Sequence, residues 1–465
     1  MNITAYIGRM VDALGWRPSE RQLVWARAAD SRTDIGDIDR MRLVALSRKL
    51  YLNNAIVKGA ITDLARYSVG SGIKALPRSG DNSWDQEAKE WWKHWQRYPE
   101  VTGKFDFQTL QLLVSECIDR DGELFILLTK SDDGRTAQLQ VIEGHRIQTP
   151  PDLAGREDIF DGVQIDKMGR AKNYWVLTSV GEFKKIPAKD MIHIFEPERP
   201  DQVRGYPRIS AAINTCLDRD ELLRLEMQAA KAASTISLVV KSKTGSGAGI
   251  FGPITLDNAS INDDQRAMQT VWGGGAILNV RNDQEVSNFQ MERPNAKLDV
   301  HLQQYIRSTC LALGLPYEFV WDSQSVSGAN TRLITAKAAR RFEQRQNLLI
   351  AQLMRRVWRY AAAVAIKNGD LRPTNKWHHV EFICPRSITV DHSRDAQSDI
   401  ALVEAGLMSR AEYFGSYGQD WEEEMAQIKA ENDNFGPLIP NPSPVVIPGP
   451  LPPRPSDDIG GMPLS

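Results

Sequence analysis

From Thr331 to Lys367 the chain runs without a single glycine or proline. A stretch of that length with no helix breaker predicts one very long helix, and the rest of the fold has to be built around it. Between Thr331 and Tyr360 that helix carries Arg332, Lys337, Arg340, Arg341, Arg345, Arg355, Arg356 and Arg359 against Glu343 alone. On a continuous α-helix Arg341, Arg345 and Arg356 share roughly one side. The excess is local, because the whole chain has a formal charge of −2. That balance argues against a general nucleic-acid-binding protein, which is usually basic overall. Two uses of the basic helix compete: contact with phosphates, and pairing with acidic surfaces of a neighbouring subunit. The second is favoured, because a strongly basic lining would hold DNA fast.

A chain of 465 residues exceeds one ordinary compact domain and predicts two to four units. Apolar residues at three- and four-residue steps predict a helix over residues 38–66, ended by the glycines of Val69 to Ile73. Trp84, Trp91, Trp92 and Trp95 recur at helical spacing. They read as a face packed into a core, in preference to a stacking platform for nucleic acid. Leu110 to Cys117 reads as helix, and 123–128, 139–142, 162–165 and 173–177 read as short strands. A helix opens at Pro207, glycine-broken β-like runs fill 236–294, and helix returns near Lys297. Residues 380–383 read as a strand, short helices fit 393–405, 409–415 and 420–431, and the proline-rich end from Gly436 reads as a disordered tail.

No chemistry-bearing signature organises the polar residues. Gly247 to Gly252 fits the dinucleotide-binding glycine pattern, but Pro253 follows at once where a helix should open, so it reads as a loop. There is no Walker A pattern. His378, His379, Cys384 and His392 cluster in sequence, yet the segment between them reads as strand and no metal site is expected. The other histidines (His94, His145, His193 and His301) sit in no nucleophile-and-base motif, so no catalytic residue and no cofactor are expected. Cys117, Cys216, Cys310 and Cys384 are far apart and read as reduced thiols in a cytosolic setting. No signal peptide is read at the start, and no apolar run is long enough for a bilayer span.

The order of several segments resembles the lambda-type portal proteins of tailed bacteriophages. These are Asn53 to Ile61 with Val69 to Ile73, Arg120 to Glu123, and Ile186 to Phe195 with Arg199 to Pro207. Ala312 to Glu318 with Thr331 and Arg332, and Ala405 to Arg410 with Gly418 to Asp420, complete the set. They span about residues 38–431. Where that family often has Tyr-Ser-Ser before the arginine of its internal loop, this chain has Ser327 to Thr331 before Arg332.

The resemblance implies an α+β portal-like subunit. It would comprise an N-terminal arm (1–37), an α+β wing (38–206), stem helix 1 (207–235) and a small β-rich clip (236–296). Stem helix 2 (297–316), a tunnel loop region (317–330) and a long wing or crown helix (331–370) would follow. A crown-like region (371–435) and the proline-rich tail (436–465) would end the chain. It further implies a ring, usually a dodecamer, at one capsid vertex, through which double-stranded DNA is packaged and ejected without reading of its sequence. Implied partners are the terminase large subunit, head-completion and connector proteins, and the major capsid and scaffold proteins. No membrane partner is implied, and the location is the virion, with host cytoplasm during assembly.

Ser323, Gln324, Ser325, Ser327, Gly328 and Asn330 would meet the duplex as a short polar loop free of Lys and Arg. Arg332, Lys337, Arg340, Arg341, Arg345, Arg355 and Arg356 would contact DNA or a neighbouring subunit. A closed ring needs two different complementary faces on each chain, and acidic stretches such as Glu422, Glu423 and Glu424 are candidates for the second face. The rival readings are a metal-dependent nuclease and a non-viral ring-forming scaffold.

Overall fold

The computed structural model describes residues 30–32, 35–241, 269–271, 275–280, 298–321, 328–385, 388 and 392–435. The chain divides into two compact units, Met1–Ala396 and Gln397–Ser465.

The first unit opens with α1 (Asp37–Asn53) and α2 (Ala55–Val69). Sequence periodicity suggested one helix here, but Asn54 leaves helical geometry at φ −117°, ψ 109°. Its side chain turns back to accept from the backbone N–H groups of Ile56 and Val57, so it caps the second helix and breaks the first. Next come β1 (Lys74–Pro77), α3 (Asn82–Trp95) and α4 (Phe107–Arg120). Eight strand segments of the first unit precede the stem region, and β1 is followed by β2 (Glu123–Lys130), β3 (Ala137–Glu143), β4 (Ile159–Phe160), β5 (Val163–Ile165), β6 (Ala171–Leu177), β7 (Phe183–Pro187) and β8 (Met191–Phe195). Of these, β1, β4, β7 and β8 carried no clear strand pattern.

Strand β2 is the centre of a three-stranded antiparallel sheet with β3 and β8. Both faces of β2 are covered, so its side chains are apolar on both sides. Leu124 and Ile126 face a core shared with the tryptophans of α3, with Phe107, Leu110, Val114 and Ile118 of α4, and with Leu353, Val357 and Trp358 further along. Phe125 faces the other way, toward Val163, Tyr174, Val176 and Ile186 of the four-stranded sheet β4-β5-β6-β7. Trp84, Trp92 and Trp95 are buried, with the rings of Trp92 and Trp95 4.7 Å apart and Trp92 against Trp358 at 5.1 Å. They pack a core and offer no stacking platform.

After a 3-10 turn (Arg208–Ala212), α5 (Ile213–Thr235) leads to β9 (Ile236–Lys241), β10 (Gln269–Val271) and β11 (Gly275–Val280). These strands form one small sheet in which β11 pairs in parallel with β9 and antiparallel with β10. The glycine pattern at 247–252 lies outside the described residues. Helix α6 (Leu298–Leu313) packs on α5 and on the 3-10 turn, and α7 (Tyr317–Val320) follows.

The long helix is present but is not continuous α-helix. It begins at Gly328, earlier than the sequence suggests, as α8 (Gly328–Leu349). It passes through a π turn (Ile350–Met354) and continues as α9 (Arg355–Asn368), ending on Gly369 in left-handed geometry (φ 86°). Its first half packs against α1, α2 and the start of α5 through Ala338 and Phe342, and its second half enters the core of the tryptophans.

Strand β12 (Val380–Ile383) corrects a boundary. The expected crown-like region began at 371, but β12 pairs antiparallel with β1, from Lys74 opposite Ile383 to Pro77 opposite Val380. This segment is therefore an integral part of the first unit. Helix α10 (His392–Glu404) crosses into the second unit, which holds α11 (Arg410–Ser416) and α12 (Trp421–Phe435) packed on each other. The proline-rich tail from 436 lies outside the described residues. Among the described residues no helix is long and apolar enough to cross a membrane.

Candidate functional site

Three short segments meet beside the long helix, and each gives one residue to each of two buried ion-pair clusters. The segments are 119–123 between α4 and β2, 193–196 at the end of β8, and 204–208 before α5. The meeting is close because two glycines allow it. A Cβ on Gly205 would stand 2.2 Å from the Gly122 carbonyl oxygen, and one on Gly122 would stand 2.2 Å from the Tyr206 carbonyl carbon. Gly122 also holds φ 89°, which a side-chain-bearing residue rarely adopts.

The first cluster centres on Glu123, which is fully buried. The Arg204 Nε donates to both of its carboxylate oxygens at 3.0 Å, Arg40 Nη1 approaches at 3.2 Å, His193 Nε2 at 3.0 Å, and the Gly205 N–H donates at 2.9 Å. Asp161 adds a second carboxylate, accepting from Arg40 Nε and lying 3.2 Å from Arg204 Nη1. Two carboxylates thus face two guanidiniums and the buried charge balances. Burial alone would raise the Glu123 carboxyl, but Arg204, Arg40 and the hydrogen bond from His193 outweigh it and hold the group well below the usual range. His193 stacks on Phe125 at 4.1 Å, and burial holds its pKa below the ordinary value despite Glu123.

The second cluster takes the long helix. Arg341 donates to both carboxylate oxygens of Glu196 at 2.8 and 2.9 Å and to the Leu313 carbonyl at 3.0 Å. Arg345, wholly buried, donates to Asp119 at 2.6 Å and to the Ser115 carbonyl at 2.7 Å. Arg208 reaches Glu196 at 3.0 Å. Glu196 is held below the usual carboxylate range by these arginines, against the opposing effect of its burial.

The residues singled out from sequence divide accordingly. Arg341 and Arg345 are consumed inside the chain, which removes them from the groups that could face DNA or another subunit. The π turn corrects the expectation that Arg356 shares their side. One extra residue per turn rotates everything beyond it, so the inward positions move to Leu353 and Val357 and Arg356 is left half-buried, donating to the Ala188 carbonyl at 3.3 Å. Arg332, Lys337, Arg340 and Arg355 are exposed, with Arg340 3.2 Å from Glu343. Ser323, Gln324, Ser325 and Ser327 lie outside the described residues. Gly328 and Asn330 stand in the first turn of α8, so they begin the helix and are no part of a loop. Among the described residues no group of three His, Cys, Asp or Glu side chains could hold a metal ion. Sequence reasoning quoted the segments 120–123 and 199–207 but missed that they touch. The charged residues flanking Gly122 and Gly205 were the available signal.

A family model described as phage portal protein, lambda family, matches residues 19–346. The chain belongs to that family. The matched portal region contains both buried clusters and ends one residue beyond Arg345. The chain is 23% identical over 377 residues to a protein named probable portal protein of Halomonas phage phiHAP-1, covering 77% of this chain and 71% of the relative. It is 20% identical over 360 residues to portal protein B of Escherichia phage lambda, covering 66% and 65%. Among solved structures, a chain from the neck of a native GTA particle, computed with C12 symmetry, aligns at a TM-score of 0.43 and 15% identity, covering 81% of this chain and 93% of that one.

Proposed function

We propose that this portal-family chain forms a closed ring, usually of twelve copies, in the virion at one capsid vertex, and that double-stranded DNA passes through it during packaging and ejection. The observation that carries the reading is the portal-family match over residues 19–346. The geometry supports it. The polar segment 322–327, which contains no Lys or Arg, is followed directly by α8. That helix is bolted by Arg341 and Arg345 to the same hub from which α5 starts. Such a segment can touch phosphates weakly without reading bases, while the hub keeps its position fixed relative to the body. A cluster of arginines there would add salt-dependent affinity with every phosphate neutralised and would arrest the duplex.

On this reading α5 and α6 form the stem, residues 236–296 the clip on which the terminase large subunit docks, and the connector and capsid proteins meet the assembled ring. Membership of the portal family gives the nuclease alternative no support. Negative-stain imaging of the purified full chain, with packaged DNA per particle measured for a deletion of Ser325 to Ser327, tests the proposal. Rings with a central hole and reduced packaging or retention are expected. Compact monomers, or unchanged packaging and retention in the deletion, would overturn it.

A further inference from the structure

The arginines on the two sides of the π turn meet opposite fates. Before it, Arg341 and Arg345 reach Glu196 and Asp119. After it, Arg355, Arg356 and Arg359 have no carboxylate within ion-pair distance among the described residues. Arg355 and Arg359 are exposed and lie four residues apart on one helix face. Arg356 is half-buried, and its bond to the Ala188 carbonyl sets its guanidinium beside the turn that carries exposed Lys189. Burial without an acidic partner holds the Arg356 pKa below its usual value. Four cations are therefore gathered on one surface, one of them partly stripped of water, and Asp190 is the acid of that turn. Such an array is costly until an acidic surface covers it.

The same chain supplies a surface of opposite sign. Helix α12 carries Glu422, Glu423 and Glu424 in its first turn, then Glu431 and Asp433, against Lys429 alone. Glu422, Glu423 and Asp433 are exposed. A closed ring with one interface type needs two different faces per copy, complementary to each other. We propose that the patch of Arg355, Arg356, Arg359 and Lys189 of one copy docks on the acidic helix α12 of a second copy. This rests on the ring reading and names two of its contacting faces. A second copy fits better than DNA, because the patch repeated around a ring would bind a passing duplex strongly.

The test uses the full chain and ring assembly, read by native mass spectrometry and negative-stain imaging over a range of salt. Wild-type rings should weaken as salt rises. R355E/R359E, at exposed positions, should melt like wild type and lower the ring population by about tenfold or more at matched concentration. E423K/E424K should do the same, and the four substitutions together should restore rings. The milder R355A/R359A should give a smaller loss in the same direction, and it serves if the reversal misfolds. Rings unaffected by either arginine variant would overturn the proposal, as would failure of the combined variant to recover them when it folds. Unchanged rings with weakened binding of duplex DNA would assign the patch to DNA instead. Wild type that stays monomeric would overturn the ring reading and this inference together, whereas wild-type rings with indifferent variants would overturn this inference alone.

Discussion

Arg345 and Asp119 are 226 residues apart in sequence and 2.6 Å apart in space, with neither side chain exposed to solvent. Their contact ties the long helix to the end of α4, and through the next four residues to the central strand of the sheet. Asp119 Oδ2 and Arg345 Nε have no hydrogen-bond partner, so the pair is already costly and leaves little tolerance for losing one member.

Asp119→Ala should therefore destabilise the first unit by about 3–5 kcal/mol, because it strands a buried guanidinium. The double variant Asp119→Leu/Arg345→Met should recover most of that loss by replacing both charges with apolar groups. Denaturant midpoints of the three proteins give the comparison. A single variant as stable as wild type would mean that the charge is not buried in solution.

Glycines give a contrast of sign. Gly205→Ala must force backbone apart where the Gly122 carbonyl approaches, and should cost more than about 2 kcal/mol or prevent folding. Gly59→Ala, inside α2 with open space around the new Cβ, should stabilise by about 0.5–1 kcal/mol through helix propensity. Thermal melts of the two variants should move in opposite directions.

Stability should fall on acidification in two stages. His193 is held below the ordinary histidine value of about 6.5, so below that pH the unfolded chain takes up a proton that the folded chain refuses. Glu123, Glu196 and Asp121 are held below the usual carboxylate range, so the stability they provide is present above about pH 4.5 and lost as pH falls through their folded values. Asp37, Asp39 and Asp63, raised by burial, offset part of the second stage. Urea midpoints measured from pH 8 to pH 4 would show the trend. His193→Gln should remove the stage that begins near pH 6.5 and leave the carboxylate stage in place.

Within the π turn, Gln352 accepts the Phe195 N–H at 3.0 Å, joining the helix to the end of β8. Gln352→Ala should cost about 1–2 kcal/mol by leaving that donor without its acceptor. Hydrogen exchange at Phe195 should accelerate, and unchanged protection there would count against the bond.

Periodicity carried much of the architecture. Trp84, Trp92 and Trp95 were readable as core because three large rings at helical spacing have few other places to go. The long helix was readable from its lack of breakers. Strand β1 was not, since four residues beside glycines carry too little pattern, and its partner β12 lies some three hundred residues away. Arg341 and Arg345 looked like surface chemistry because a sequence shows charge but not the carboxylates that meet it. Their partners Asp119 and Glu196 come from segments with no periodic link to the helix. The portal resemblance located the segments 120–123 and 199–207, yet only their meeting in space explains why both contain glycine beside charge.

The π turn makes the long helix two rulers with different zero points. Counting along either half gives correct faces, but counting across 350–354 misassigns every face by one residue. Insertions and deletions therefore act unusually here. Removing one residue from that window would restore a continuous α-helical frame and bring Arg356 around to the side of Arg345, exchanging which arginines are sealed inside the subunit and which are offered outward. In a lineage of related chains, a length change of a single residue at this place would rewrite the outer surface of α9 without altering any residue on it.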